Sequence, residues 1–201
     1  EVKHRIQILT ELENNMDGSS YSVKEIIKAG KNHQLNGIHG SVAQLVKVDA
    51  EYSVAVETAL GMALQNVIVE NEDTAKRCIR LLKEQKAGRA TFLPITSVKG
   101  NKLDVSPFEN ETGYISLASE LVDFDGKYSG IVNYLLGRIV VADDIDSASY
   151  IAKKNGYKFK IVTLDGQVIN AGGSFTGGSL SKSAGVLTRK NEIIHDNLLF
   201  K

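Results

Sequence analysis

The pattern that most constrains this chain occurs twice. Leu60-Gly61, Val67-Ile68-Val69 and Asp73-Thr74-Ala75 find counterparts, in the same order, in Leu136-Gly137, Ile139-Val140-Val141 and Asp146-Ser147-Ala148. Each set reads as a helix end, a short strand of buried character and a capped helix. Two further strands follow the helices, Arg89-Ala90-Thr91-Phe92-Leu93-Pro94 and Lys158-Phe159-Lys160-Ile161-Val162-Thr163-Leu164. A supersecondary unit used twice predicts two lobes in a mixed α/β (α+β) fold. Pro94 and Pro107 bracket the polar stretch from Thr96 to Lys102, whose composition predicts a linker between the lobes.

Elsewhere the punctuation is local. Ser22-Val23-Lys24-Glu25 has the form of a capping box, Ile26 and Ile27 follow, and Gly30 is placed to stop a short helix. Ile38 to Val48 reads as a strand segment entered through Gly37 and Gly40, and Asp49 as the cap of a helix through Tyr52, Val56, Ala59, Leu60 and Ala63. Ala75, Cys78, Ile79 and Leu82 mark the apolar side of a helix that ends near Gly88. Asp143, Asp144 and Asp146 stand between a strand and a helix, where capping and dipole compensation account for acidic residues without a metal.

The second unit continues where the first does not. Asp165-Gly166 reads as a two-residue hairpin turn into Gln167-Val168-Ile169-Asn170-Ala171, which delivers the run Gly172-Gly173-Ser174-Phe175-Thr176-Gly177-Gly178-Ser179. Glycines so dense imply backbone brought close to other backbone or to a ligand. A phosphate loop would fit Gly172, Gly177 and Ser179, but the position that must be lysine is Gly178. A nucleophile elbow centred on Ser174 has Gly172 at one end and Thr176 where the second glycine belongs. The pattern therefore gives no enzyme site; it leaves an edge strand, a flexible loop or an anion cradle.

Charge and cysteine content narrow the function classes. Twenty-four basic and twenty-four acidic side chains cancel, so any nucleic-acid contact must come from a local patch. The lone Cys78 excludes an intrachain disulfide, and His4, His33, His39 and His195 lack metal-ligand spacing, so no metal or cofactor is expected. No apolar run approaches the ~20 residues of a membrane span. The chain begins as if cut from something longer, and a cytoplasmic setting is the expectation. At the ends, Val2, Ile6, Leu9, Leu12 and Met16, and then Val186, Leu187, Ile193, Ile194 and Leu198, form narrow helical stripes. Residues 1–20 hold Lys3 and Arg5 against Glu1, Glu11, Glu13 and Asp17 (2 − 4 = −2); residues 181–201 hold Lys182, Arg189, Lys190 and Lys201 against Glu192 and Asp196 (4 − 2 = +2). Opposite charge favours an antiparallel pair of terminal helices, with packing on the domain as the plainer arrangement.

Three motifs in register carry a resemblance: Gly37-Ile38-His39-Gly40 before a strand, Arg89-Ala90-Thr91-Phe92-Leu93-Pro94 after a helix, and Gly172-Gly173-Ser174-Phe175-Thr176-Gly177-Gly178 after a hairpin. Together they resemble the hinge domain of bacterial SMC (structural maintenance of chromosomes) proteins over residues 20–185. The resemblance implies a two-lobed hinge of mixed sheets with flanking helices. Its parts would be a coiled-coil stub at 1–20, the first lobe at 21–95, a linker at 96–112, the second lobe at 113–180 and a second stub at 181–201. It further implies a homodimer in which the glycine strand of one second lobe meets an edge of the partner's first lobe. Gly172, Gly173, Ser174, Phe175, Thr176, Gly177 and Gly178 would form that interface, with Phe175 as apolar anchor or else as core. Such a hinge is not an enzyme; the family's ATPase head lies elsewhere in the full-length protein, as do contacts with accessory condensin subunits.

The resemblance also implies weak, salt-sensitive DNA contact near the arm junction, in a protein associated with the nucleoid. The matching residues here are Lys182, Arg189 and Lys190, and Lys153 and Lys154, with Lys158 and Lys160, form a second basic concentration. Ser181, Ser183, Ala184 and Gly185 dilute the lysine clusters that the family carries after the glycines. The alternative function is a small-molecule α/β protein holding an anion in the loop from Gly172 to Gly178.

Overall fold

The computed structural model describes residues 2–14, 19–180 and 185–199. Helix α1 (Val2–Asn14) precedes a first lobe of α2 (Tyr21–Lys31), β1 (Ile38–Ser41), α3 (Val42–Leu45), β2 (Lys47–Val48), α4 (Ser53–Leu60), β3 (Val67–Val69), α5 (Glu72–Glu84) and β4 (Phe92–Pro94). The second lobe contains β5 (Tyr114–Leu117), a 3₁₀ turn at Ala118–Leu121, β6 (Val122–Asp123), α6 (Ser129–Leu136), β7 (Ile139–Ala142), α7 (Ile145–Lys154), β8 (Lys160–Thr163), β9 (Val168–Ile169) and β10 (Phe175–Thr176). Helix α8 (Val186–Leu198) follows.

The internal repeat is longer than the stretch from Leu60 to Ala75, and Leu45-Val46, Asp49 and Tyr52-Ser53 match Leu121-Val122, Asp125 and Tyr128-Ser129 ahead of it. In each lobe an antiparallel strand joins a parallel pair: β1 and β5 pair with β3 and β7, which run parallel to β4 and β8. Helices α5 and α7 make the crossovers. The short strands β2 and β6, equivalent in the two halves, pair with each other, Lys47 opposite Asp123 and Val48 opposite Val122. Even the strained positions correspond. Gly37 (φ +88°) and Gly113 (φ +83°) each precede the first strand, and their carbonyls accept from Glu70 N and Asp143 N, both at 2.8 Å. The next residues, Asn71 and Asp144, cap α5 and α7 by accepting from Thr74 N and Ser147 N. A Cβ on Gly37 would stand 2.7 Å from Thr74 Oγ1, and one on Gly113 would overlap Ser147 Oγ.

Strand alternation divides the core. Val67 and Val69 face α2 and α5 with Ile26, Cys78 and Leu82, and Val140, Ala142, Ile161 and Ile169 face α7 with Ala148 and Ile151. The opposite sheet faces meet in a shared middle: Ile68 and Leu93 from one lobe, Val141, Val162 and Val168 from the other, with Val56 of α4 and Ile131 of α6 between them.

Several local expectations are corrected. Helix α2 is capped by Ser20, and Ser22 is buried within its first turn, donating from Oγ to Arg89 O at 2.7 Å. Gly30 lies inside α2, where a Cβ would come within 3.2 Å of Ile38; the helix runs on to Lys31. The expected strand from Ile38 to Val48 is broken by a true capping box, Ser41 with Gln44, which starts α3. Asp49 makes no side-chain cap. The segment from Ile95 to Thr112 has no regular structure but is closely docked. Gly100 N donates to Gly130 O, Leu103 N to Gly137 O, and Phe108, 2% exposed, stacks on Phe159 at 4.8 Å. It covers the outer face of the second sheet as α2 covers that of the first.

Candidate functional site

The glycine run completes a meander added to the second lobe's repeat unit. β8, β9 and β10 are antiparallel neighbours, extending that sheet to the order β10-β9-β8-β7-β5, against β1-β3-β4 in the first lobe. The loop between β8 and β9 holds three residues, Leu164 to Gly166, not the two expected, because Thr163 and Gln167 still pair. Leu164 N donates to Ala142 O, extending the sheet, and Gly166 takes the left-handed conformation (φ +83°) that such a loop needs. The next loop, Ala171 to Gly173, is also three residues long and is closed by Gly173 N donating to Asn170 O. Gly172 (φ +91°) and Gly173 (φ +96°) provide its backbone.

Each glycine thus has a reason within its own chain. Gly178 has φ +132°, and a Cβ on Gly177 would overlap the Gln167 carboxamide. That carboxamide acts as a one-residue strand: Nε2 donates to Gly178 O at 3.0 Å and Oε1 accepts from Gly178 N at 2.8 Å. Asn170 Nδ2 similarly donates to Ser174 Oγ and Thr176 Oγ1. Three of the glycine amides an anion cradle would use are already taken: Gly172 N donates to Tyr157 O, Gly173 N to Asn170 O and Gly178 N to Gln167 Oε1. The run leads into a strand rather than a helix N-terminus, so its geometry opposes the anion-cradle alternative.

What the run does present is an open edge. β10 ends its sheet, Phe175 is 55% exposed, and Ser174, Thr176, Gly177 and Leu180 are exposed beside it. A second open edge is β4 in the first lobe. Beside it lies a notch of about 360 Å³ lined by Ile79, Leu82, Lys83, Gly88, Arg89 and Ala90, with Ile79 54% exposed.

The basic residues are dispersed. Lys153 and Lys158 are exposed. Lys154 is paired with Glu111, which pushes its ammonium pKa up, and lies 5.7 Å from the Tyr150 ring. Lys190 Nζ donates to the carbonyls of Ala43, Gln44 and Val46 at the end of α3. Arg189 is half-buried on α8, and Lys182 lies outside the described residues. Among the described residues, Lys153, Lys154 and Lys158 lie on the second lobe while Arg189 and Lys190 lie on α8 against the first.

Helix α8 is rooted on the first lobe. Leu187 is buried in the shared core, Thr188 N donates to Glu57 Oε1 at 2.8 Å, and Asn191 Nδ2 to Val48 O at 2.9 Å. Helix α1 packs on α8. Arg5, near the start of α1, reaches Glu192 at 3.2 Å and Asp196 at 3.7 Å near the end of α8, so the helices run in opposite directions. These ion pairs run opposite to the helices' net charges, because individual side-chain positions decide contacts. Met16 lies outside the described residues.

Sequence reasoning missed the residues that tie the parts together. His39 Nε2–H donates to Glu70 Oε2 (2.6 Å), while Nδ1 shares a hydrogen bond with the Tyr128 hydroxyl of the other lobe (2.8 Å). Tyr128 also meets the imidazole edge-on at 5.5 Å. His39 falls within a recognised motif, but no spacing pointed to a partner 89 residues away. Gln167 and Asn170 likewise carried no signal, since their roles appear only once the hairpins form.

Comparison with known proteins follows this geometry closely. The family model described as "SMC proteins Flexible Hinge Domain" matches residues 35–152. The chromosome partition protein Smc of Halothermothrix orenii is 40% identical over 198 residues, covering 98% of this chain and 16% of that protein. The Bacillus subtilis protein of the same name is 34% identical, covering 98% and 17%. This chain thus spans about one sixth of these relatives. A crystal structure of an asymmetric dimer of the Geobacillus stearothermophilus SMC hinge domain matches with a TM-score of 0.89 and 36% identity, over 98% of this chain and 80% of that one. The Pyrococcus furiosus SMC hinge matches with a TM-score of 0.68 and 30% identity, over 92% and 96%.

Proposed function

The chain belongs to the SMC hinge family, and from that premise we propose that it is the homodimerisation hinge of an SMC ATPase for chromosome condensation and segregation. It joins two antiparallel arms through Gly172, Gly173, Ser174, Phe175, Thr176, Gly177 and Gly178. The observation that supports this best is the complementarity of two unfinished edges, β10 with an exposed Phe175 and β4 beside an apolar notch. Neither can close on the other within one chain's sheets, but two chains arranged head to tail satisfy both, twice. The reaction is association; ATP hydrolysis and contacts with accessory condensin subunits belong to the full-length protein at the nucleoid.

Weak DNA contact accompanies this role, through the exposed Lys153 and Lys158, with Lys154, Arg189, Lys190 and Lys182 adding to the local field. Binding of a fluorescent single strand should fall steeply between low and physiological salt; a salt-independent signal would contradict an electrostatic origin.

The dimer is tested by light scattering over a dilution series of the wild type and a Gly177→Leu variant, with circular dichroism as folding control. Gly177 is chosen because its intrachain neighbour is the end of a flexible glutamine, which can swing aside, whereas Gly178 also carries a left-handed φ. The expected result is a wild type near twice 21.8 kDa and a folded variant near one subunit. A folded variant that remains dimeric would remove the glycine strand from the interface.

A further inference from the structure

The dipeptide Asn–Gly occurs twice in the chain, at Asn36-Gly37 and Asn155-Gly156. It is chemically labile, because a glycine, having no Cβ, lets its backbone nitrogen approach the carboxamide carbon of the asparagine before it. In a folded chain the outcome depends on whether nitrogen and carboxamide are free to meet.

The two sites differ in that freedom. Asn155 ends α7, where its Nδ2 donates to Ile151 O at 2.8 Å. Gly156 N, the nitrogen that would attack, donates to Lys153 O at 3.1 Å. Both reacting groups are thus held by the last turn of the helix, and both bonds must break before they can meet. Asn36 lies in the turn between α2 and β1. The backbone N–H groups of Asn32, His33, Gln34 and Leu35 are tied to carbonyls at the end of α2, and the ties stop there. Asn36 is exposed, and among the described residues neither its carboxamide nor Gly37 N has a hydrogen-bond partner. The fold does not require an amide at this place, since the repeat puts Thr112 before the equivalent left-handed Gly113.

We propose that Asn36 is a site of spontaneous deamidation through a succinimide closed by Gly37 N. A base in the solvent takes the proton from Gly37 N, the nitrogen bonds to Asn36 Cγ, and the Cγ–Nδ2 bond breaks. Ammonia leaves with a proton taken from water. Water then opens the ring at either carbonyl. Cleavage between nitrogen and Cγ gives an ordinary aspartyl residue; cleavage between nitrogen and the backbone carbonyl carbon gives an isoaspartyl residue, whose main chain runs through Cβ and Cγ.

The position gives the reaction a structural consequence. Either product places a negative charge next to Gly37, where an added Cβ would lie 3.2 Å from Glu70 Cβ. The isoaspartyl product also lengthens the main chain by one carbon directly before Gly37, whose φ of +88° and carbonyl bond to Glu70 N set the start of β1. His39, two residues on, is bonded to Glu70 at 2.6 Å and to the Tyr128 hydroxyl of the second lobe at 2.8 Å. Isoaspartate at position 36 therefore displaces the strand that carries this contact and loosens the seam between the lobes, whereas ordinary aspartate changes the charge alone.

The test ages the full chain in mildly alkaline buffer and maps its peptides by mass spectrometry, with an isoaspartyl methyltransferase and a labelled methyl donor to detect isoaspartate. The peptide containing Asn36-Gly37 should exchange NH₂ for OH about tenfold faster than the one containing Asn155-Gly156, which two hydrogen bonds protect. Equal rates in the folded protein would overturn the proposal. In urea the two peptides should react alike; a preference that persisted there would belong to the neighbouring letters and overturn the structural argument. Thermal unfolding gives the second measurement. Ageing should lower the midpoint of the wild type but not that of Asn36→Thr, and freshly prepared Asn36→Asp, with the charge and no added carbon, should unfold with the fresh wild type. An equal loss on ageing in Asn36→Thr would overturn the assigned effect on the seam.

Discussion

The two lobes share a plan down to the left-handed glycine before the first strand, yet one sheet stops at three strands and the other continues to five. The common part builds the shared core, with α4 and α6 between the sheets and β2 paired to β6 at the centre. The unequal part leaves open edges, and it is there that the proposed subunit contact falls. A fully symmetric repeat would leave two similar short edges or two covered ones. Adding a meander to one lobe only creates a projecting edge and leaves its counterpart vacant, and in the proposed head-to-tail dimer one sequence would supply both halves of the contact.

A second inequality concerns the outer cover, where the first lobe uses α2 and the second a turn around Phe108. If that turn replaces a helix, Phe108→Ala should be the most damaging change, costing about 4 kcal/mol in urea unfolding, because a buried aromatic leaves a cavity that a turn cannot collapse to fill. A loss under about 1 kcal/mol would mean that the second sheet needs no such cover. The glycine pair tests the equivalence itself. Gly113→Ala should cost about 2–3 kcal/mol, with the added Cβ overlapping Ser147, and Gly37→Ala about 1–2 kcal/mol against the looser Thr74 contact. A neutral effect at either would break the correspondence. Tyr128→Phe, which removes the hydroxyl bonded to His39, should cost about 1 kcal/mol by the same method; a change within error would show that the ring contact alone holds that seam.

The smallest effect separates the two helix caps by pH. Asn71 on α5 does not titrate, whereas Asp144 on α7 has a carboxyl pKa held below the ordinary range by hydrogen bonds from the backbone and side chain of Ser147. A depressed carboxyl pKa contributes stability that is present above its unfolded value and lost as pH falls through the folded one. Asp144→Asn should therefore leave stability nearly unchanged at neutral pH and flatten its decline below about pH 4, the ordinary aspartate range. An unaltered acid limb in the urea midpoint would exclude Asp144 from it.

Much of this was legible where letters and geometry coincide. Val67–Val69, Ile139–Ala142 and the amphipathic α5 and α7 follow from β-branched runs and helical spacing. The glycine run was legible as backbone brought close to other groups, which in this chain are the Gln167 carboxamide and the Tyr157 ring. The first half of the repeat is written in scattered matches that a search for strands and helices passes over. α3 and the 3₁₀ turn at Ala118–Leu121 occupy equivalent places with related letters, Gln44-Leu45-Val46 against Glu120-Leu121-Val122 and Tyr52-Ser53 against Tyr128-Ser129, yet neither stretch has strand or helix periodicity long enough to read, and β2 and β6, two residues each, are strands only because they find each other. Ser20 and Ser22 are equally good caps on paper; burial of Ser22 beside Arg89 O, a tertiary fact, decides between them. Lys190 resembled a free phosphate-binding cation until α3 placed three carbonyls at its tip.

Helix α8 follows the second lobe in the chain but is fastened to the first, by Leu187 in the core and by Lys190 and Asn191 to the α3–β2 backbone. In mechanical terms this separates the anchor from the latch. In the proposed dimer, tension along an arm would enter as shear across many bonds into the body of the first lobe. The two-residue β10, the proposed subunit contact, would then be spared a direct peeling force that opens it one hydrogen bond at a time. A hinge tied in this way would, in the proposed dimer, swing under load without straining its clasp.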